Sequence, residues 1–136
     1  MKINNFLIII PARGGSKRIL RKNIKEICGQ PMIYWPLMEL SKYFRSDQIL
    51  ISTDDQELIS KVEQKGIKVP FVRPKNLSDD FTGTMEVVHH ALNWHEENLF
   101  LVDFVLIVYP TAVLLDYNDI KSSFDTLSRD TECDFV

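Results

Sequence analysis

The chain has only two cysteines among its 136 residues, Cys28 and Cys133, and they do not form the C-x-x-C pair used by zinc ribbons and dithiol redox sites. No histidine lies at ligand spacing from either cysteine. The pattern excludes a disulfide framework. We therefore predict that both are reduced, small and mostly buried side chains, as expected in a cytosolic compartment.

Long hydrophobic runs are also missing. The N-terminal apolar run, residues 6–10, is too short for the hydrophobic region of a signal peptide and is followed by Pro11 and a charged loop. No other stretch approaches the length of a membrane span. We expect a cytoplasmic protein that is neither exported nor inserted into a membrane.

The chain has no excess of positive charge. Its formal net charge is −3 at pH 7, and its basic residues concentrate near the N-terminus. This argues against a general affinity for nucleic acid, which needs a basic footprint along one face. With 45% hydrophobic and 26% charged residues and no internal repeat or linker, residues 1–136 are predicted to form one domain.

Four short apolar runs predict strands, at residues 6–10, 48–52, 69–72 and 104–109. They lack strict polar alternation, which is typical of parallel strands covered on both faces. Amphipathic stretches between them predict helices, so the fold class is α/β with a doubly wound, mostly parallel sheet. Ligand sites in such folds lie at the carboxyl ends of the strands.

The helix boundaries follow from cap residues and turn residues. The first helix is predicted to begin near Pro31, because proline suits the first turn of a helix. The second is expected to be capped by Asp54 or Asp55 and to end at Gly66. The third should follow Gly83, the fourth should open at Asp116, and residues 133–136 are expected to begin another strand.

The loop at residues 11–23 is the most informative segment. It carries two adjacent glycines, Gly14 and Gly15, and no carboxylate occurs before Glu26. Its cations are Arg13, Lys17, Arg18, Arg21 and Lys22. Glycines allow backbone N–H groups to face an anion, and the cations supply the charge that a triphosphate needs. The loop matches neither G-x-x-x-x-G-K-[ST] nor G-x-G-x-x-G, so it predicts a phosphate site of another kind.

Other candidate sites are weaker. His89 and His90 are adjacent and point to different sides of a helix, and His95 is not spaced to join either at a metal. Asp54 and Asp55 follow a predicted strand, where helix capping explains them better than metal binding. No Ser/His/Asp set with a nucleophile elbow is present, so acyl transfer has no support.

The segment Pro-Ala-Arg-Gly-Gly-Ser-Lys-Arg-x-x-x-Lys-Asn at residues 11–23 resembles the nucleotide loop of sialic-acid-type cytidylyltransferases, the CMP-sugar synthetases for nonulosonic acids. Four further segments resemble that family in order and spacing. They are G-Q-P-M-I at 29–33, I-S-T-D-D at 51–55, R-P-K-N-L-S-D-D at 73–80, and Y-P-T-A at 109–112. The last is the form found in the pseudaminic acid branch.

The resemblance implies a three-layer α/β/α Rossmann-like nucleotidyltransferase fold, C-terminally incomplete, that binds CTP and a nonulosonic acid. It places catalytic roles on Arg13, Lys17 and Lys22. The implied nucleotide-binding residues are Ala12, Arg13, Gly14, Gly15, Ser16, Lys17, Lys22, Asn23, Arg73, Thr82 and Thr84. Arg73, Thr82 and Thr84 align with positions that recognise the pyrimidine. Tyr109, Pro110 and Thr111 are implied on the sugar side.

The resemblance also implies parts beyond this sequence. Family members continue into a segment that crosses to a partner subunit of a homodimer, and then into an aspartate-rich stretch that binds Mg²⁺. We therefore expect the metal ligands beyond residue 136. Three alternatives stay open: N-acetylneuraminic acid as the sugar in place of the favoured pseudaminic acid, a nucleotide-binding fragment without catalytic activity, and a related nucleotidyltransferase that uses another base or sugar.

Overall fold

A computed structural model of the chain describes residues 5–129, 132 and 134–136. The strands in chain order are β1 (Phe6–Pro11), β2 (Glu26–Ile27), β3 (Gln30–Pro31), β4 (Ile49–Ser52) and β5 (Phe104–Ile107). The helices are α1 (Tyr34–Leu40), α2 (Gln56–Glu63), α3 (Thr84–Asn98) and α4 (Tyr117–Arg129). Short 3₁₀ turns occupy Lys22–Ile24, Ser46–Gln48 and Lys75–Leu77.

The central sheet has the strand order β4-β1-β5, with both neighbours parallel to β1. Ile8 on β1 is opposite Ile49 on one side and Leu106 on the other. Because β1 is the middle strand, residues 7–10 are fully buried. The predicted parallel sheet and the α/β fold class are confirmed.

Alternate residues of β1 face two separate cores. Phe6, Ile8 and Ile10 pack with apolar residues of α1, α2 and α4. Leu7 and Ile9 pack with Val88 and Ala91 of α3 on the other face. Side chains of a strand alternate between faces, so one apolar run supplies both cores. Helices therefore cover both faces of the sheet, which gives the predicted three layers.

The start of α1 was predicted wrongly. Pro31 lies in β3, which pairs with β2 in a hairpin, and the helix begins three residues later. The two turn residues, Cys28 and Gly29, have φ values of 49° and 82°. Two consecutive residues with positive φ form the type I′ turn that suits a two-residue hairpin loop. Cys28 is consequently exposed rather than buried, and Cys133 lies outside the described residues.

Of the two aspartates predicted to cap α2, the structure shows that Asp55 does so. Its Oδ1 accepts hydrogen bonds from the backbone N–H groups of Glu57 and Leu58, at 2.9 and 3.3 Å. Gly66 follows the helix with φ +82°, as a residue that leaves a helix through the left-handed region does. The predicted starts of α3 after Gly83 and of α4 after Asp116 are also confirmed.

Two predicted strands differ from the structure. Residues 69–72 are irregular, although the N–H of Arg73 donates to Thr53 O at 2.7 Å just beyond β4. Pro70 lies within this run and Pro74 two residues beyond it, and neither has an N–H for a ladder, which explains why the run forms no strand. The strand predicted at 133–136 begins outside the described residues, and residues 134–136 are not in a strand. No helix within the described ranges is both long and apolar enough to span a membrane.

His95 of α3 is fully buried, and neither ring nitrogen has a hydrogen-bond partner among the described residues. The edge of its ring packs on Phe100, with centroids 4.5 Å apart. Burial lowers the pKa of His95 from its ordinary 6.5, against the opposing effects of Asp47 and Glu96. The imidazole is therefore held neutral in the folded protein.

We expect acid to destabilise the protein through His95. Because its pKa is lower in the folded chain, the unfolded chain binds the proton more readily, and stability falls as the pH drops below 6.5. Each unit of difference between the two pKa values corresponds to about 1.4 kcal/mol. Urea unfolding measures the free energy of unfolding at pH 8 and pH 5. We expect this free energy to fall less between the two pH values for His95→Leu than for the wild type. Equal losses would contradict this account.

Candidate functional site

The loops that follow β1 and β5 meet the segment between α2 and α3 and the start of α3 around a cleft of about 210 Å³. Its lining residues are Pro11, Arg13, Ser16, Lys22, Asn23, Arg73, Thr82, Gly83, Thr84, Val87, Tyr109, Pro110 and Thr111. Most of the residues predicted from the sequence thus come together here, although they are up to about a hundred positions apart. Pro11, Gly83 and Val87 were not predicted; they lie beside predicted residues or one helical turn away.

A second cleft, of about 610 Å³, adjoins the first and shares Arg13, Ser16 and Lys22 with it. The other residues that line it are Lys17, Arg18, Ile19, Asp80 and Phe81. Four cations and one carboxylate are among the eight residues that line this second cleft. The first cleft has three cations, two of them shared, among thirteen residues, and its other lining residues carry hydroxyl, amide and apolar groups. The two clefts therefore divide the site into a mixed polar and apolar part and a cationic part.

The loop at residues 12–23 is held by one hydrogen bond within the loop and by two to residues 52 and 54. The side-chain amide of Asn23, which is buried, donates to Arg13 O at 2.9 Å. Gly14 N donates to Asp54 Oδ1 at 2.8 Å, and Ala12 N donates to Ser52 O at 2.9 Å. These bonds close the loop over the end of β4.

The structure brings three of the predicted loop residues to other places. Ala12 is fully buried in the core cluster that contains α1 and α2. Gly14 and Gly15 line neither cleft. A Cβ at Gly14 would lie 3.1 Å from the Cβ of Asp55, so this glycine permits close packing against the start of α2.

The cations of the loop differ in their partners. Arg13 and Lys17 both pair with Asp80. Arg21 pairs with Asp55 and Glu57 instead, which raises the pKa of Arg21 and turns it away from the clefts. Lys22 lines both clefts and has no carboxylate partner in the part of the chain that the structure describes. Lys22 is therefore the cation best placed to meet an added anion.

The turn at residues 79–82 is built on one carboxylate. Asp79 Oδ1 accepts from the N–H groups of Phe81 and Thr82 and from the Thr82 hydroxyl, at 2.9, 2.7 and 2.7 Å. These bonds, first among them the one from the Thr82 hydroxyl, lower the pKa of Asp79. Lys17 and then Arg13 lower the pKa of Asp80. Both carboxyl groups are therefore ionised at neutral pH.

Arg73 is 4% exposed and joins the end of β4 to the first cleft. Its Nε donates to Ser52 Oγ at 3.0 Å and its Nη2 donates to Ser52 O. Burial lowers the pKa of this guanidinium, with Asp54 opposing the effect. The pattern of R-P-x-x-L-x-x-D did not reveal this anchoring of β4, and contact with a base remains a prediction.

Thr84 and Tyr109 meet at the first cleft. Their hydroxyl oxygens are 2.8 Å apart, which joins the first residue of α3 to the loop after β5. Tyr109 is 49% exposed, whereas Pro110 is buried. A residue predicted on the pyrimidine side thus touches one predicted on the sugar side. No sequence signal indicated this contact, because the two residues belong to unrelated motifs.

The described residues contain no group of three or more His, Cys, Asp or Glu side chains that could hold a metal ion. Asp54 accepts from Gly14 N and Asp55 caps α2, so both carboxylates already have structural partners. Within the described ranges both carboxylates therefore act as acceptors for backbone N–H groups.

The chain is similar in sequence to known cytidylyltransferases. A family model described as cytidylyltransferase matches residues 7–136. The pseudaminic acid cytidylyltransferase of Campylobacter jejuni subsp. jejuni serotype O:23/36 (strain 81-176) is 41% identical over 119 residues, which are 88% of this chain and 51% of that protein. The CMP-N,N'-diacetyllegionaminic acid synthase of Legionella pneumophila subsp. pneumophila (strain Philadelphia 1) is 30% identical over 106 residues, 78% of this chain and 46% of that protein.

A solved structure supports the fold. The CMP:2-keto-3-deoxy-manno-octonic acid synthetase complexed with CTP superposes with a TM-score of 0.73 at 22% identity, over 95% of this chain and 49% of that one. The chain spans about half the length of the curated relatives described above. Since the family model matches nearly all of its residues, the chain belongs to the cytidylyltransferase family.

Proposed function

We propose that the chain forms the CTP site of an enzyme that transfers CMP from CTP to a nonulosonic acid, giving a CMP-sugar and pyrophosphate. The observation that carries this proposal is the pair of clefts that meet at Arg13, Ser16 and Lys22. A nucleoside needs mixed polar and apolar surroundings and a triphosphate needs cations. The two clefts offer these surroundings side by side.

In this arrangement the nucleoside occupies the first cleft. The Thr82 and Thr84 hydroxyls and the Arg73 guanidinium line it, and such groups suit the carbonyl oxygen and ring nitrogen of cytosine. The phosphates pass Ser16 and Lys22 into the second cleft. There the ammonium of Lys22 neutralises charge on the phosphate oxygens without first leaving a carboxylate.

The reaction is an in-line displacement at the α-phosphorus. The anomeric hydroxyl of the sugar releases its proton to the solvent and forms the new P–O bond, while the bond from the α-phosphorus to the bridging oxygen breaks and pyrophosphate leaves with the electron pair. Fixed cations lower the barrier because they already face the oxygens on which negative charge grows. Tyr109, Pro110 and Thr111, which line the first cleft, are the residues that we place beside the sugar.

Pseudaminic acid is the acceptor that we favour. The support is the 41% identity to a pseudaminic acid cytidylyltransferase over 88% of this chain and the Y-P-T-A form of residues 109–112. The Mg²⁺, with its ligands beyond residue 136, and the homodimer remain predictions. No step above depends on either.

The direct test is an assay of the chain with CTP, Mg²⁺ and each of three acceptors, pseudaminic, N,N'-diacetyllegionaminic and N-acetylneuraminic acid. We expect pyrophosphate and a CMP-sugar to form with pseudaminic acid. ATP, UTP and GTP, added in competition with CTP, should bind the site more weakly than CTP does. Calorimetric binding of CTP without turnover would support a second candidate, a nucleotide-binding chain without catalytic activity. Absence of CTP binding would contradict both.

A further inference from the structure

The carboxylate of Asp80 lies where the two charged loops of the site meet. Its Oδ1 accepts from Arg13 Nη1 at 2.8 Å, and its Oδ2 pairs with Lys17 Nζ. One carboxylate thus spans two cations through separate oxygens, as a phosphate group does when it binds two basic side chains. Arg13 and Lys17 both line the second cleft.

We propose that Asp80 is an internal competitor of the triphosphate. It holds Arg13 and Lys17 in the nucleotide-free protein, and phosphate oxygens displace it when they bind these cations. This inference rests on the proposed function, because it places the phosphates in the second cleft.

Asp80 is held in position by a turn that does not depend on it. Asp79 accepts three hydrogen bonds from Phe81 and Thr82 within this turn. Arg13 Nη1 also donates to Asp79 O at 2.7 Å, so Arg13 stays next to the turn when the Asp80 carboxylate is removed. The competition can therefore be altered without altering the fold of the loop.

The two ion pairs are exposed enough to be exchanged. The Lys17 side chain is 80% exposed and that of Asp80 is 29% exposed. Water screens such pairs, so each contributes little to stability. A triphosphate that brings several negative charges displaces Asp80 readily, whereas a ligand with a single phosphate gains less from the same cations. Asp80 thereby favours polyphosphates over ligands with little charge.

The test is calorimetric binding of CTP, inorganic pyrophosphate and cytidine to the wild type and to Asp80→Asn. We expect the variant to bind CTP and pyrophosphate about threefold to tenfold more tightly, and to bind cytidine as the wild type does. Asp80→Ala should behave in the same way, which guards against a defect specific to asparagine. Unchanged or weaker binding of both phosphate ligands would overturn the inference.

Two controls separate competition from a general change of charge. Glu57→Gln removes the same charge from a carboxylate that pairs with Arg21, outside both clefts, and should change CTP affinity by less than about twofold. In a Lys17→Ala background, Asp80→Asn should increase the affinity for CTP by a smaller factor, because one of the two cations that pair with Asp80 is gone. An equal gain from Glu57→Gln, or an undiminished gain in that background, would contradict competition.

The failure of the proposed function would look different. A wild type that binds pyrophosphate but not CTP would contradict the CTP site, and the effect of Asp80→Asn could still be measured with pyrophosphate. If neither the wild type nor Asp80→Asn binds pyrophosphate, no phosphate competes with Asp80 and the inference is wrong.

Discussion

Lys22→Ala should weaken the binding of CTP by about 10- to 100-fold and leave the binding of cytidine nearly unchanged. Lys22 lines both clefts and has no carboxylate partner in the described residues, so its charge is available to phosphate. A hydrogen bond to a charged group contributes roughly 1.5–3 kcal/mol, which corresponds to this range of affinity. Calorimetric titrations of CTP and cytidine into the same preparation measure both effects.

Lys25→Ala is the matched control for this prediction. Lys25 is exposed, carries the same charge three residues along the chain, and lines neither cleft. Its loss should change CTP affinity by a few-fold at most, since screened surface charges act weakly. A similar loss of CTP and cytidine binding in Lys22→Ala would show that Lys22 does not act on phosphate.

Arg73→Met should lower the free energy of unfolding by about 2–4 kcal/mol. The guanidinium of Arg73 donates to both the hydroxyl and the carbonyl oxygen of Ser52, which is itself fully buried. Methionine fills a similar volume but removes the donor to the Ser52 hydroxyl, and the Ser52 carbonyl keeps only the bond from Ala12 N. Unfolding in urea, followed by circular dichroism, measures the difference.

Arg45→Met provides the comparison for Arg73. Arg45 pairs with Asp47, but its side chain is 53% exposed. Loss of this pair should cost less than about 1 kcal/mol. Equal effects of the two substitutions would show that burial of Arg73 and its bonds to Ser52 do not contribute as the geometry indicates.

Much of the fold was predictable because it depends on local pattern. Apolar runs without alternation indicated β1 and β4, and an aspartate ahead of an amphipathic stretch indicated α2. The run at 69–72 is apolar, but Pro70 within it and Pro74 after it lack the N–H groups that a sheet ladder needs. Cys28 is exposed because it lies in the hairpin turn between β2 and β3. An apolar pattern does not predict this turn, since the pairing of the two strands sets the positive φ values of its residues.

The candidate site was predictable as a set of residues and less so as a set of contacts. The motifs named Arg13, Lys17, Lys22 and Arg73, and the structure gathers all four at one edge of the sheet. What each side chain touches depends on loops that are far apart in sequence. The bonds from Arg73 to Ser52 and from Arg13 to Asp80 are of this kind, and neither follows from spacing.

The middle position of β1 also limits how members of this family can diverge. Residues 7–10 face a packed core on each side, so every position accepts only apolar side chains of similar volume. The loop that follows Ala12 lies mostly outside these cores, and under the proposed function it has to keep its charge to hold a phosphate. Tyr109, in the loop after β5, is half exposed and carries neither demand. Relatives that accept different sugars should therefore differ most around Tyr109 and least in the first strand.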